Sequence, residues 1–390
     1  MTQAIVTPEL LRWARGRAEV ALEEVAKSAN VSPEKVASWE QGESYPTLRQ
    51  ARKIANKLKI PFGYLYLSNP PEDKIPLPDF RKPSHFNIQS ISLELHTLIQ
   101  DTLRKQEWYR EYLLSEGESR LHFVGQYGMS NDPSIVATSI GEIVEINHDL
   151  RRQAHSWSDF LRLIVLKSEK ARILVLRTGV VQNNNNRPLN PDEFRGFAIS
   201  DDIAPLVLIN SKDAIAAQVF TLAHELAHLW LGRSGISNYD IIDTLVTQPL
   251  NRDIEDYCNQ VATELLVPKE SFLNFWSSQN NALSNLSQIA REYWVSTIVI
   301  LRRALDLEII DREQFFTHYR QEIEKQTDVT ARSSEGGHFY NTFYARHSKQ
   351  LTEGIVNATL EGNLLYRDAA SLLGVKVSTI QKLAENLESV

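Results

Sequence analysis

Phe220-Thr221-Leu222-Ala223-His224-Glu225-Leu226-Ala227-His228-Leu229-Trp230 sets two histidines four residues apart inside an apolar run. On a helix they share one face, one turn apart, so both imidazoles can reach a single metal ion. Glu225 directly follows the first histidine, which turns its carboxylate beside such an ion rather than onto it. From there it can take a proton from a bound water. Zinc lowers the pKa of that water towards neutrality, and peptide hydrolysis is the usual use of this geometry. An ordinary amphipathic helix could carry the same pair of histidines. Flanked by Phe220, Leu222, Leu226, Leu229 and Trp230, however, they would be buried, and buried imidazoles without partners cost stability. His224 and His228 are therefore read as metal ligands and Glu225 as the catalytic general base.

A catalytic zinc takes three protein ligands and keeps a fourth position open. The next helical segment, Asp253-Ile254-Glu255-Asp256-Tyr257-Cys258-Asn259-Gln260-Val261-Ala262, offers Glu255 as the third, with Asp253, Asp256 and Glu264 as competitors by spacing. Asn259 stands one turn after Glu255, where it can orient a ligand histidine by hydrogen bonding. Cys258 falls on a neighbouring helix face. A thiolate there would close the site, and a lone cysteine is more often a buried small hydrophobe.

Around this centre the chain divides by pattern. Residues 1–68 carry short helical periods (Leu10, Leu11, Ala14; Leu22, Val25, Ala26; Val36, Trp39; Leu48, Ala51, Ile54, Ala55, Leu58) and read as a small all-helical domain. Pro70, Pro71, Pro76, Pro78 and Pro83 mark a linker over 69–87. A helical lead-in and the metallopeptidase domain fill 88–270, a helical extension 271–335, and a helical C-terminal domain 336–390 after Gly336-Gly337. Within the second domain, β-rich residues predict strands at Arg172–Leu176, Gly196–Ile199 and Leu206–Ile209, with the polar Asn183–Asn186 run and Pro188 as a loop. The fold class expected is α+β and mostly helical: an all-α N-terminal domain, a minimal zincin-like domain with a small sheet, and a helical C-terminal domain.

Composition narrows the partners. A net charge of -7 with 23% charged residues leaves no global basic field for non-specific nucleic-acid binding, so any DNA contact is local. The single cysteine rules out an internal disulfide and a cysteine zinc cage and suits a reducing compartment. No run approaches the length of a membrane span and the first residues do not resemble a signal peptide, so the expected setting is cytoplasmic, without membrane contact.

These features together resemble the ImmA/IrrE family of zinc metallopeptidases, in the subgroup fused to an N-terminal Xre-type helix-turn-helix. The resemblance rests on Glu193-Phe194-Arg195-Gly196-Phe197-Ala198, Pro205 to Asn210, Phe220 to His228, and Glu255 through Cys258-Asn259 to Leu265-Leu266-Val267-Pro268. It continues in Asp79-Phe80-Arg81 and in the tail, Phe339-Tyr340-Asn341-Thr342 with Leu365-Tyr366-Arg367-Asp368-Ala369. It implies that Glu255 completes the zinc site with His224 and His228. It also implies a site-specific endopeptidase that cleaves a partner repressor and so switches on stress or mobile-element genes. In such zincins an edge strand lines the cleft and pairs with an extended peptide; Leu206–Ile209 is the expected one. Tyr239, Tyr257 and Arg233 are candidates for the oxyanion donor.

Leu22 to Ala26, Ala29 to Ser32 and Val36 to Gly42 resemble the second helix, turn and recognition helix of the Xre fold. Ser32 is placed as N-cap and Pro33 at the first helical position. Residues 1–70 hold ten Lys or Arg against seven Asp or Glu, a mildly basic balance. Ser32, Lys35, Ser38 and Gln41 are the candidate DNA contacts. Glu34 works against them, because a carboxylate facing the groove meets phosphates and accepts only from cytosine. The tail repeats the spacing: Tyr366, Ala369, Ala370, Leu373, Gly374, Val375, Ile380 and Leu383 match Leu22, Val25, Ala26, Ala29, Asn30, Val31, Val36 and Trp39 at a constant offset of 344 residues. A second helix-turn-helix or a plain helical hairpin fits this equally well.

The expected function is a regulatory zinc endopeptidase acting on a specific partner, a repressor or antitoxin-like protein, to control gene expression or a stress response. The competing reading is a DNA-binding transcriptional regulator or antitoxin that uses the zincin fold as a protein-binding platform. DNA, a toxin-like protein encoded nearby and a second copy of the chain are the further expected partners.

Overall fold

The computed structural model describes residues 3–18, 20–71, 77–79, 91–237, 252–279, 282–327 and 339–388. Tyr239, Gly336-Gly337, Phe80-Arg81 and most of the 69–87 stretch lie outside the described residues. The protein is mostly helical with a small mixed sheet, an α+β fold. It forms two compact units, Met1–Pro76 with Gln89–Thr97, and Leu77–Ile88 with Leu98–Val390.

The first unit contains α1 (Pro8–Arg17), α2 (Leu22–Ala29), α3 (Pro33–Glu40) and α4 (Leu48–Lys57). Helices of eight to ten residues are unstable alone. They hold because Ala14, Val25, Ala26, Val36, Ala51 and Ile54 close around the buried Trp39. The turn between α2 and α3 passes through Asn30 at φ 55°, a left-handed position that asparagine tolerates, and the Val31 amide donates to the Ala26 carbonyl at 3.1 Å. Thr47 and Gln50 form a reciprocal capping box that opens α4. Ser32 occupies the N-cap of α3 as expected, but its hydroxyl makes no cap hydrogen bond; with the Glu34 backbone amide it instead holds the Glu34 carboxyl below its usual pKa.

Glu40, buried at the end of α3, accepts from Arg15 Nε and Nη2 at 2.7 and 2.9 Å, and Arg12 Nη2 donates to its carbonyl at 2.8 Å. This fork ties α1 to α3. Glu40→Ala is expected to destabilise the unit by about 1.5–3 kcal/mol, the range for hydrogen bonds to charged groups. Hydrogen exchange over residues 8–65 should accelerate accordingly, and unchanged exchange would contradict the role assigned to the fork.

The second unit opens with helices α5 (Leu93–Ser115, from Leu98 onward), α6 (Pro133–Ile143), α7 (His148–Gln153) and α8 (Trp157–Lys170). Strands β1 (Leu174–Thr178), β2 (Val180–Val181), β3 (Asn184–Pro188), β4 (Gly196–Ile199) and β5 (Leu206–Asn210) precede α9 (Ile215–Trp230) and β6 (Gly235–Ser237). Helices α10 (Arg252–Leu266), α11 (Lys269–Ser278), α12 (Leu286–Tyr293), α13 (Thr297–Asp306) and α14 (Arg312–Thr327) follow. The tail is α15 (Phe339–His347), α16 (Lys349–Leu360), α17 (Tyr366–Leu372) and α18 (Val377–Glu388).

The main sheet runs β1-β5-β4-β6. β1 lies parallel to β5, with Leu174 opposite Leu206 and Thr178 opposite Asn210, while β4 is antiparallel to both β5 and β6. All residues of β4 and β5 are buried, as continuous apolar strands in a covered sheet should be. This overturns the expectation that Leu206–Ile209 is the cleft edge: β5 is interior, and both its backbone edges are paired. The described edge strands are β1 and β6. The chain itself meets β6, because the Ile236 amide donates to the Pro78 carbonyl at 3.0 Å and Asp79 bridges Ile236 in parallel. Proline is tolerated at such an edge position.

The Asn183–Asn186 run is also not the loop its polarity suggested. Gln182 and Asn183, at φ 49° and 59°, turn the chain from β2 into β3 as an exposed hairpin. Positive φ at both turn residues matches the twist of a tight hairpin, and asparagine accepts it.

The turn geometry of α2–α3 recurs at other helix ends, two of which join successive helices in the same way. In the tail, Gly374 has φ 61° and the Val375 amide donates to Ala370 at 2.9 Å, joining α17 to α18. Between α12 and α13, Trp294 has φ 55° and the Val295 amide donates to Ala290 at 3.0 Å, with Ser296 capping α13 through the Val299 amide. The expected helical extension over 271–335 is broken here into separate helices. A tryptophan at the left-handed position continues the apolar period instead of breaking it.

Candidate metal centre

Helix α9 is buried from Gln218 to Trp230 and packs on β4 and β5, beside α6, α8 and α10. Its first turn is anchored by Gln218, whose Nε2 donates to the Asp213 carbonyl at 2.8 Å. Its last turn ends at Gly232, φ 67°, where the Gly125 and Tyr127 amides donate to the carbonyls of Leu229 and Trp230. A Cβ on Gly232 would lie 3.0 Å from the Gly125 Cα, so this close crossing requires glycine. Trp230 stacks on Phe123 with centroids 4.4 Å apart and donates to Ser139 Oγ at 3.0 Å. The metal helix is thus clamped at both ends.

The two histidine Nε2 atoms lie 3.1 Å apart. Glu255, from α10, places Oε2 at 3.3 Å from His224 Nε2 and Oε1 at 3.2 Å from His228 Nε2. All three residues are buried, and their ligand atoms fall within 4.8 Å of one another. Asn259, one turn along α10, meets His224 Nδ1 with its Oδ1 at 2.8 Å. With the Nδ1 proton donated to that carbonyl, the Nε2 lone pair is left for a metal.

The electrostatics separate the two glutamates. Burial pushes the Glu225 carboxyl up to about 8, helped by the nearby charge of Glu255 and opposed by His224 and the Ser237 hydroxyl. Burial also acts on Glu255, but the charge of His224 and hydrogen bonds from both histidines outweigh it and hold this carboxyl below the usual range. Burial depresses His228, whereas at His224 the Glu255 charge overcomes burial and raises the pKa. Both Glu225 carboxylate oxygens are buried, and although the Ser237 hydroxyl stands near enough to act on the carboxyl, neither oxygen makes a well-formed hydrogen bond among the described residues. A buried acid without such a bond is costly and calls for an explanation beyond packing.

Gly196 explains how Glu225 is accommodated. A Cβ there would stand 2.7 Å from Thr221 Cγ2 and 3.0 Å from both Glu225 Oε1 and the Leu208 carbonyl. Sequence reading gave this glycine no role, although a glycine inside an apolar strand is a signal of close approach. Gly196→Ala is expected to force β4 from α9, cost about 1–3 kcal/mol by overpacking, and displace the Glu225 carboxylate. Thermal unfolding would show the first effect. Loss of cleavage with zinc still bound would show the second.

The competing candidates fall elsewhere. Glu264 accepts from Arg303 and from the Lys269 amide, Asp253 is exposed, and neither Asp256 nor Cys258 joins the converging set. The Cys258 thiol is buried and its pKa pushed well up, first by burial and then by the charges of Glu255 and Glu225, so it stays protonated. Tyr257 commits its hydroxyl to the Asn131 carbonyl at 2.9 Å, and Arg233 is exposed just beyond α9. In the first unit, Ser32, Lys35 and Gln41 are exposed beside Glu34. Ser38 is half-buried and engaged with the Lys35 carbonyl at 2.8 Å and Ser44 Oγ at 2.6 Å.

Comparison with known families identifies three stretches. Residues 169–305 match an IrrE N-terminal-like domain, a peptidase family, and contain the whole converging set. Residues 11–65 match a helix-turn-helix domain, and residues 348–386 a domain of unknown function. No curated protein matches the chain. The chain thus joins a stretch similar to a helix-turn-helix, at residues 11–65, to one similar to an IrrE N-terminal-like peptidase-family domain, at residues 169–305. Among the described residues no helix is long and apolar enough to cross a membrane.

Proposed function

We propose that this protein is a zinc-dependent endopeptidase of the cytoplasm that cleaves one specific partner, a repressor or antitoxin-like protein, and thereby controls gene expression. The observation that carries the reading is the buried convergence of His224, His228 and Glu255 with an unsatisfied Glu225 carboxylate beside it. Two imidazoles and one carboxylate are a donor set that suits zinc and leaves a position open. When bound there, zinc supplies the Lewis acidity that makes water a nucleophile near neutral pH.

The chain's own residues supply the rest. Glu225 Oε takes the proton of the attacking water and returns it to the leaving amine nitrogen, the general-base and general-acid task of a carboxyl placed beside the ligand set without belonging to it. Asn259 fixes the His224 ring, and the shell of α6, α9 and α10 keeps bulk water from the ligands. Interior β5 has no free backbone for a substrate strand. A peptide pairing with β6 would meet the Pro78–Asp79 stretch already on that edge.

The competing reading, a DNA-binding regulator with the zincin fold as a platform, draws on the exposed Ser32, Lys35 and Gln41 of α3. To test the peptidase, zinc-loaded full-length protein is incubated with the products of neighbouring genes and examined by intact-mass spectrometry. One defined cut, lost with a zinc chelator and restored by added zinc, is expected. If no neighbouring product is cut by zinc-loaded protein, the platform reading replaces this one.

A further inference from the structure

Away from the metal centre, a cavity of about 320 Å³ opens between the sheet and the tail, lined by Arg177, Ser211, Asn341, Thr342, Ala345 and Arg346. Arg177 projects from β1, Ser211 directly follows β5, and the other four lie along one face of α15. No acidic residue lines the cavity. Arg177 directs Nε and Nη2 to the neutral Gln218 Oε1 at 3.2 and 2.9 Å, and Arg346 Nη1 reaches only the neutral Asn183 Oδ1 at 3.4 Å. Neither guanidinium forms an ion pair among the described residues.

Two partly buried cations without counter-charge are expensive, and the expense is recovered when an anion enters. We infer that this cavity binds a phosphomonoester of about sugar size. Two guanidiniums balance a dianion, whereas one carboxylate would leave a net positive charge. Donors approach from β1, from the segment after β5 and from α15, which suits the several oxygens of a tetrahedral phosphate better than a planar carboxylate. The volume exceeds that of a phosphate group, leaving room for a small polar body beside Asn341 and Thr342. The lining has no aromatic ring on which a base could stack. No residue of the cavity belongs to the metal centre, so the inference stands apart from the peptidase reading.

Isothermal titration of the full-length protein at fixed ionic strength, with ribose 5-phosphate, inorganic phosphate and ribose as probes, tests it. Ribose 5-phosphate is expected to bind 1:1 and more tightly than inorganic phosphate, and ribose not at all. Arg346→Gln should weaken binding at least tenfold. Ala345→Glu, which places a carboxylate in the cavity, should abolish binding without lowering the thermal midpoint, separating lost affinity from lost fold. The inference is overturned if ribose 5-phosphate gives no binding, if inorganic phosphate binds as tightly, or if both variants bind like the wild type.

Discussion

His224→Ala is expected to take the zinc content of the purified protein from stoichiometric to near zero, measured by elemental mass spectrometry. Three donors converge from two helices, and only Glu255 bridges them, with one oxygen towards each histidine. Removing His224 deletes a ligand and also strands Asn259 and one side of the Glu255 carboxylate. The thermal consequence follows from mass action: zinc at about a thousand times its dissociation constant stabilises the folded state by about 4 kcal/mol, and the variant forgoes that gain. Asn259→Ala provides the graded counterpart, since loss of an orienting partner typically weakens metal binding about 10- to 100-fold without removing a ligand. A wild-type protein that stays metal-free after incubation with excess zinc would end the metal-centre assignment.

Glu225→Gln is expected to keep zinc and lose cleavage by a factor of about 10²–10⁴, the usual contribution of a positioned acid or base. Glu225 is not among the converging ligands. The amide has the same shape, so it fits the space left by Gly196. It also carries no charge, and burial already disfavours the charged carboxylate here, so folding stability should hold or rise. The same variant separates the two functional readings inside cells. Loss of the regulatory response together with partner cleavage supports the peptidase; a response that survives unchanged assigns it to the helix-turn-helix and a binding platform.

The parts of this arrangement legible in sequence are those set by local spacing. His224 and His228 at four residues, and Glu255 and Asn259 at four residues, must each share a helix face, because the α-helical period leaves no alternative. The turn at Asn30 and its counterpart at Gly374 could be matched because the two stretches share one apolar spacing at a constant offset of 344 residues. The matching turn at Trp294 escaped notice because a tryptophan gives no sign of a left-handed position. Among the acids of 253–264, spacing left four candidates open. The resemblance pointed to Glu255, and the crossing of α9 and α10 places that carboxylate alone against both imidazoles.

By itself, then, the sequence determined that the chain is a mostly helical fusion with a buried two-histidine helix at its centre, since periodicity and capping act within a few residues. Only the tertiary structure decided which strand is interior, why residue 196 is glycine, and that Arg177 and Arg346 line one cavity. Each of these depends on pairing between residues far apart in the chain: Leu174 with Leu206, Gly196 with Glu225, β1 with α15. Such pairings are chosen by the burial of whole apolar faces against one another. That energy is collective, and no local window of sequence contains it.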